Sequence, residues 1–319
     1  MNSSVAVATV VSAIAFGTPL LLAGLGELLA ERSGILNLGV EGMMLMGAVT
    51  GFYVSQTLHA GVVLTLTAAV AAAALAGAAM ALIHAFLAIT VRVNQIVSGL
   101  ALTIFAGIIG LSSYLGQVWK IGGEHGIHQF TRVNLFGLKD LPVVGPVLFH
   151  EDALVYLSWI LVILASFYLF RTRIGLYLRA VGESPRTADA MGINVTRYRY
   201  VHTVIGGALA GIGGAYFTLA IAPIWTDGLT AGDGWIAIAL VIFAFWRPDL
   251  LVVGAYFFGM LASIGYTLQT LGVRLPSEVF SALPYAMTVV ALFVASASWA
   301  SRRLGTPAAL GVPYSREEG

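Results

Sequence analysis

No cysteine occurs among the 319 residues, which removes disulfides, thiolate metal sites and cysteine nucleophiles together. Lysine is almost missing: Lys120 and Lys139 are the only two. Neither stands in a GxxxxGK[ST] loop, so the chain has no recognisable nucleotide site of its own. No pair among the six histidines has the spacing of a metal-binding helix, and no metal site is expected. HExxH, GxSxG and clustered-Asp motifs are also missing, which leaves a membrane enzyme little to stand on. No arginine-rich span suggests voltage sensing, and no TVGYG-like filter suggests a cation channel. Charged residues make up only 10%, with a net charge of +1, so global electrostatics offers nothing to nucleic acid.

What is abundant is apolar sequence. The hydrophobic fraction is 59% and the mean hydropathy +0.91. No soluble domain of this length hides that much apolar surface, so lipid must be the solvent for most of it. The N-terminal stretch MNSSVAVATVVSAIAFG lacks the basic start of a secretory signal and reads as a retained span. About 20 apolar residues in helix cross a hydrocarbon core of about 30 Å. Stretches 5–29, 35–54, 62–89, 96–115, 153–170, 201–222, 250–271 and 279–297 meet that length. A ninth, Trp235–Trp246, is a short span or a re-entrant half-helix. The expected fold is an all-α polytopic membrane protein of about 8–10 transmembrane helices, one of them short or re-entrant. Residues 1–303 form the transmembrane domain, and 304–319 read as a disordered cytoplasmic tail.

The distribution of cations orients these spans. Nine crossings place Arg32, Arg92, the six arginines of 171–199, Arg247, Arg302, Arg303 and Arg316 on the cytoplasmic side. Lys120, Arg132, Lys139 and Arg274 fall outside. Twelve cations against four support this orientation and a cytoplasmic C-terminus. The outside loop 116–152 holds Glu124, Asp140, Glu151, Asp152 and three histidines; its Gly122-Gly123, Pro142 and Gly145-Pro146 signals indicate turns rather than a separate domain.

Polar residues inside apolar runs are costly, on the order of 3 kcal/mol for a carboxylate, and should face protein or water. In GTPLLLAGLGELLAERSGILNLGVEGMMLMGA, Glu27 lies deep in one run, and Asn37 and Glu41, four apart, share a face early in the next. In VRVNQIVSGLALTIFAG, Asn94, Gln95 and Ser98 enter the membrane just after Arg92. These side chains either line a polar path or brace neighbouring helices and backbone. Small residues Gly207, Gly211 and Gly214, with Gly47 and Gly51, mark close helix packing.

The most informative stretch is RTRIGLYLRAVGESPRTADAMGINVTRYR, residues 171–199, a polar island between membrane-grade segments. Ser184 is suited to an N-cap, Pro185 to the first helical position, and Gly192 to a left-handed stop. The expected helix, 185–191, is too short to stand alone. Ala188 and Met191, three apart, would fill a cleft, with Arg186 and Asp189 as a polar rim. A polytopic protein offering such a helix to the cytoplasm offers a docking surface to a soluble partner.

ERSGILNLGVEGMMLMGA resembles the start of the second block of ATP-binding cassette (ABC) importer permeases of the branched-chain amino acid, ribose and nucleoside group. The NLGVEG form is similar to the basic-membrane-protein-associated nucleoside or simple-sugar permeases. GLYLRAVGESPRTADAMGINVTRYR is similar to their cytoplasmic coupling segment, and the likeness extends from about Phe16 to Ala297. One departure stands out: ribose-type permeases carry a Gly-rich stretch where this chain has Phe245-Trp246-Arg247-Pro248. The resemblance implies a multi-pass permease of the bacterial plasma (inner) membrane. Its implied partners are a cytoplasmic ATPase, a second and often different permease, and an extracytoplasmic solute-binding protein or lipoprotein. ATP and Mg would be used by the partners, with no cofactor on this chain. Gly182, Glu183, Ser184, Pro185, Arg186, Ala188, Asp189, Met191 and Gly192 are implied as the coupling element. The expected solute is a nucleoside or simple sugar. The alternatives are a branched-chain amino acid permease, or a self-sufficient carrier in which Glu27 and Glu41 couple ions.

Overall fold

A computed structural model describes residues 3–107, 110–121, 128–270, 276–296 and 305–315. Gly122, Gly123, Glu124, Arg274, Arg302, Arg303 and Arg316 lie outside the described residues. The chain begins with α1 (Ser3–Arg32), 30 residues long, which at 1.5 Å per residue is about 45 Å and more than spans a bilayer. Then come α2 (Val40–Thr57), α3 (Val62–Ala85), α4 (Gln95–Ala106) and α5 (Leu111–Val118). The outside loop carries α6 (Val144–Leu148) between two short antiparallel strands, β1 (Val133–Asn134) and β2 (His150–Glu151). The second half contains α7 (Ala153–Arg171), α8 (Arg173–Glu183), α9 (Pro185–Ala190), α10 (Val195–Tyr216), α11 (Asp233–Phe243), α12 (Pro248–Thr270) and α13 (Ser277–Ser296).

Among the described residues, six stretches are long and apolar enough to cross a membrane: Val5–Arg32, Val62–Val91, Gln95–Val118, Ala153–Arg171, Val195–Ile221 and Pro248–Gln269. The protein is an all-α polytopic membrane protein. The short segment expected at 235–246 is a helix of 11 residues, Asp233–Phe243. The span expected from Ile35 begins instead at Val40, because residues 33–39 are not helical.

Helices α1, α2, α3 and α10 form the centre, and glycines let their backbones touch. A Cβ on Gly207 would stand 2.6 Å from Gly77 O, and one on Gly211 2.2 Å from Ala73 O. One on Gly206 would stand 2.6 Å from Gly26 O, and one on Gly51 3.0 Å from Ala215 Cβ. Around this contact Met43, Met44, Val49, Phe52 and Ala210 are buried on one side of α10. Leu21, Leu25, Leu28, Leu240 and Leu251 are buried on the other.

At the outer end Asp152 caps α7, accepting from the Leu154 and Val155 amides at 2.9 and 3.1 Å, and also takes the Tyr216 hydroxyl at 2.7 Å. Its neighbour Glu151 is buried with Oε1 unpartnered. Burial pushes the Glu151 carboxyl up to about 8; Arg132 opposes the shift and Asp152 adds to it. A carboxyl whose folded value exceeds its unfolded one favours the fold below about pH 4.3, and that stability is lost as pH rises through about 8. Glu151→Gln should therefore match the unaltered chain in thermal midpoint near pH 4.5 and exceed it at pH 8.5. Equal midpoints at both pH values would contradict this.

Residues 305–315, expected as a disordered tail, are ordered. They run back across the Arg32 end of the helices, where Ala309 is buried and its amide donates to Gly182 O at 2.9 Å. The expectation rested on prolines and charge, yet these residues are held by backbone groups of other segments, which composition does not reveal.

Candidate functional site

Two non-helical segments interrupt the helical body, 33–39 mostly buried and 222–232 partly exposed, and their backbone groups dictate where the polar side chains go. Such backbone is tolerated at membrane depth only when protein satisfies it. The first is 33–39. Leu36 N donates to Gln95 Oε1 at 2.8 Å, and Leu36 O accepts from His84 Nε2 at 3.1 Å. His84 Nδ1 in turn meets Ser98 Oγ at 3.1 Å. Asn37 N donates to Glu27 Oε1 at 3.0 Å, Thr103 Oγ1 donates to Leu38 O at 2.9 Å, and Gly39 N donates to Asn37 Oδ1 at 3.0 Å. Close approach is needed too: a Cβ on Gly99 would stand 2.7 Å from Leu38 N.

Of the polar residues noted in the sequence, Glu27, Asn37, Asn94 and Gln95 turn toward backbone, and Ser98 meets the His84 ring. Asn37 and Glu41 do not share a helix face, because Asn37 precedes α2. Asn94 is exposed and caps α4, accepting from Ile96 N at 2.9 Å and Val97 N at 3.2 Å; Gln95 and Ser98 are buried beside it.

The second segment, 222–232, leads into α11, and Glu41 governs it. Its Oε1 accepts from Thr230 Oγ1 at 2.5 Å and from Gly232 N at 2.9 Å, and Oε2 accepts from Gly234 N at 2.7 Å. Gly232 has φ +95°, and a Cβ on Gly234 would stand 2.5 Å from Glu41 N. The first turns of α2 and α11 thus meet at one carboxylate, where two sets of N-terminal amides favour negative charge. With three donors on its two oxygens, Glu41 is engaged as a clamp.

One end of the helical body gathers cations. Arg32 donates from Nη2 and Nε to Trp246 O at 2.8 and 3.2 Å, and from Nη1 to Gly305 O at 3.1 Å. Arg199, fully buried, donates from Nε to Ser33 O and from Nη1 to Val312 O, both at 3.3 Å. Phe245 and Trp246 have φ of 51° and 53°. This is the left-handed region, costing an L residue about 1–2 kcal/mol, at the place where ribose-type relatives are Gly-rich. Here the Arg32 bonds, and the Trp246 indole N–H donated to Glu31, hold the turn without glycine.

Segment 182–192 stands at this same end. Helix α9 begins after Ser184, whose Oγ accepts from Thr187 N at 3.4 Å, with Pro185 at its first position. It ends with Met191 as its cap residue and Gly192 at φ +82°. Ala188 and Met191 do not share a buried face as expected. Ala188 packs inward on Val181 and Val195, whereas Met191 is 78% exposed. The helix stops at Ala190, so Met191 turns away from the inner face. Arg186 is exposed and Asp189 half-buried. Beside them an open groove of ≈ 760 Å³ is lined by Ile174, Tyr177, Met191, Ile193 and Tyr198.

Sequence reasoning missed His84, Thr103, Thr230 and the two bridging arginines. A lone histidine in the apolar, Ala-rich run 62–89 was the one available signal, since an intramembrane ionisable group always has a partner to find. In the sequence Arg32 and Arg199 look like ordinary loop charge.

Comparison with known proteins matches residues 9–292 to the family described as branched-chain amino acid transport system / permease component. A permease protein of Haloferax volcanii, TsgC13, provisionally named for glucose ABC transport, is 40% identical over 94% of this chain and 95% of its own. The guanosine ABC transporter permease protein NupQ of Bacillus subtilis is 35% identical over 94% of each. The nucleoside ABC transporter permease protein NupC of Lactococcus lactis is 34% identical over 89% of this chain and 90% of its own. No solved structure matches the chain. With nearly its whole length matched, its apolar helices and its two braced helix breaks, the chain belongs to the branched-chain amino acid transport system permease family, as a multi-pass plasma-membrane permease.

Proposed function

We infer that this chain is one membrane subunit of an ABC importer that moves a nucleoside-like or simple-sugar solute inward by alternating access. The carrying observation is the capped α9 segment, protruding at the cation-rich end with Met191 exposed beside an apolar groove. That arrangement suits a soluble ATPase gripping Gly182–Gly192, with Glu183, Arg186 and Asp189 at the rim. Chemistry in this chain is mechanical: two access states biased by contacts that differ between them. ATP and Mg belong to the partner.

The relatives' names support nucleosides and sugars ahead of amino acids. A second similar permease, NupP, occurs beside NupQ in Bacillus subtilis, which supports a heterodimer, with an outer binding protein or lipoprotein delivering solute. Engagement of Glu41 by three donors supports a bracing role for it ahead of ion coupling.

Uptake of labelled guanosine and of labelled glucose into vesicles bearing the complex tests this. Import of one of them should stop when ATP is depleted and survive collapse of the proton gradient; the opposite pattern would reject the ABC assignment. Glu183→Ala and Arg186→Ala should lower solute moved per ATP by about tenfold, within the usual range of coupling energies, while the complex still assembles. Normal transport by both variants would show the coupling element to be misplaced.

A further inference from the structure

Residues 305–315 touch each moving part that the importer reading requires. Ala309 N donates to Gly182 O at 2.9 Å, and Ala308 N to Glu183 Oε2 at 3.4 Å, tying the segment to the docking region. Gly311 N donates to Gly34 O at 3.1 Å, tying it to the first helix break. Two arginines fasten it crosswise. Arg32 holds Gly305 O together with Trp246 O at the end of the short segment, and Arg199 holds Val312 O together with Ser33 O. Leu310 packs on the Leu28–Trp246 core, and Tyr314 packs on Val181, Ala188 and Val195. A Cβ on Gly182 would stand 2.3 Å from Arg32 O, so the docking region already presses on the end of α1.

We propose that 305–315 is a strap that transmits displacement of the docking segment to the 33–39 break, with Arg32 and Arg199 as its positioning residues. The proposal rests on the importer reading. Donation from one guanidinium to two carbonyls of different segments makes those segments move together, because parting them leaves buried polar groups unpaired. From Ser33 and Gly34 the displacement reaches Asn37 and then Glu41, which holds the start of α11. Trp246 O, on Arg32, receives the same motion at the other end of α11. The short helix is thus gripped at both ends by elements that the strap connects.

The absence of cysteine makes the test clean. The complete complex with its ATPase is compared with one whose permease lacks 305–319. A second complex carries Glu183→Cys with Ala308→Cys, joined by a short bifunctional maleimide whose spacer holds a reducible disulfide. ATP hydrolysis and solute uptake are read together. Truncation should leave ATP hydrolysis within about twofold and cut solute moved per ATP by about tenfold or more. The cross-link should leave that ratio as it is in the same double-cysteine complex before joining, since strap and docking segment move as one body. An unchanged ratio in the truncated complex, or a cross-link that stops transport until it is cleaved, overturns the strap. If truncation prevents assembly, the cross-linked complex decides. Absence of ATP-driven uptake by the unaltered complex overturns the importer reading itself, and the strap with it.

Discussion

Glu41→Ala is expected to lower stability by about 4 kcal/mol, because Thr230 Oγ1, Gly232 N and Gly234 N all lose their acceptor. Each buried donor left unpaired costs about 1–3 kcal/mol, and bonds to a charged acceptor stand at the upper end. Removing the carboxylate also relieves an insertion cost of about 3 kcal/mol, so the net falls below the sum of three losses. Glu41→Gln separates charge from geometry. One amide oxygen can serve Thr230 and Gly232, but the NH2 group then faces the Gly234 amide, donor against donor. The order expected is Glu, then Gln, then Ala, read as the thermal midpoint in detergent, with Ala lower by roughly 5 °C. Transport should fall in the same order, because the start of α11 loses its anchor on α2. An unchanged midpoint for Glu41→Ala would remove the clamp from this account.

Gly214→Val is the second large effect. A Cβ there would stand 1.8 Å from Met44 O, a backbone atom with no flexible end to move aside. Helices α10 and α2 must separate by more than an ångström to admit it, and loss of packing along the whole contact follows. Overpacking costs typically 1–3 kcal/mol and occasionally more; with backbone as the obstacle, more than about 3 kcal/mol is expected here. Gly47→Val should act alike, its Cβ lying 2.1 Å from Gly211 O. Gly61→Ala is the control, since nothing stands within 4 Å of its Cβ and its φ is −61°. Folded protein recovered from membranes should be scarce for both valine variants and normal for the control. Normal recovery of Gly214→Val would mean that the α2–α10 contact is looser than these distances require.

The polar residues at 37, 41, 94, 95 and 98 illustrate what was legible. Hydropathy marks each as out of place in lipid, and that is enough to require a partner. It is not enough to name one. Gln95 serves Leu36 N and Thr103 serves Leu38 O, and a backbone group looks the same in every residue, so the receiving end leaves no trace in the sequence. The docking segment was far more legible. Its caps, Ser184 and Gly192, act within a few residues of the helix they bound. The fate of Met191 was not, since a one-residue difference in where the helix stops decides which way it points.

Lipid residence, the short segment before Arg247 and the capped helix after Ser184 all follow from the order of residues, through forces that act over a turn or two of helix. Assembly of the folded chain settled the rest: Glu41 meets Thr230 across 189 positions, Arg32 meets Gly305 across 273, and residues 305–315 close over the end that holds Arg32 and Arg199. Those pairings depend on which backbone groups a broken helix leaves bare, and no residue type announces a bare carbonyl before the helices are packed.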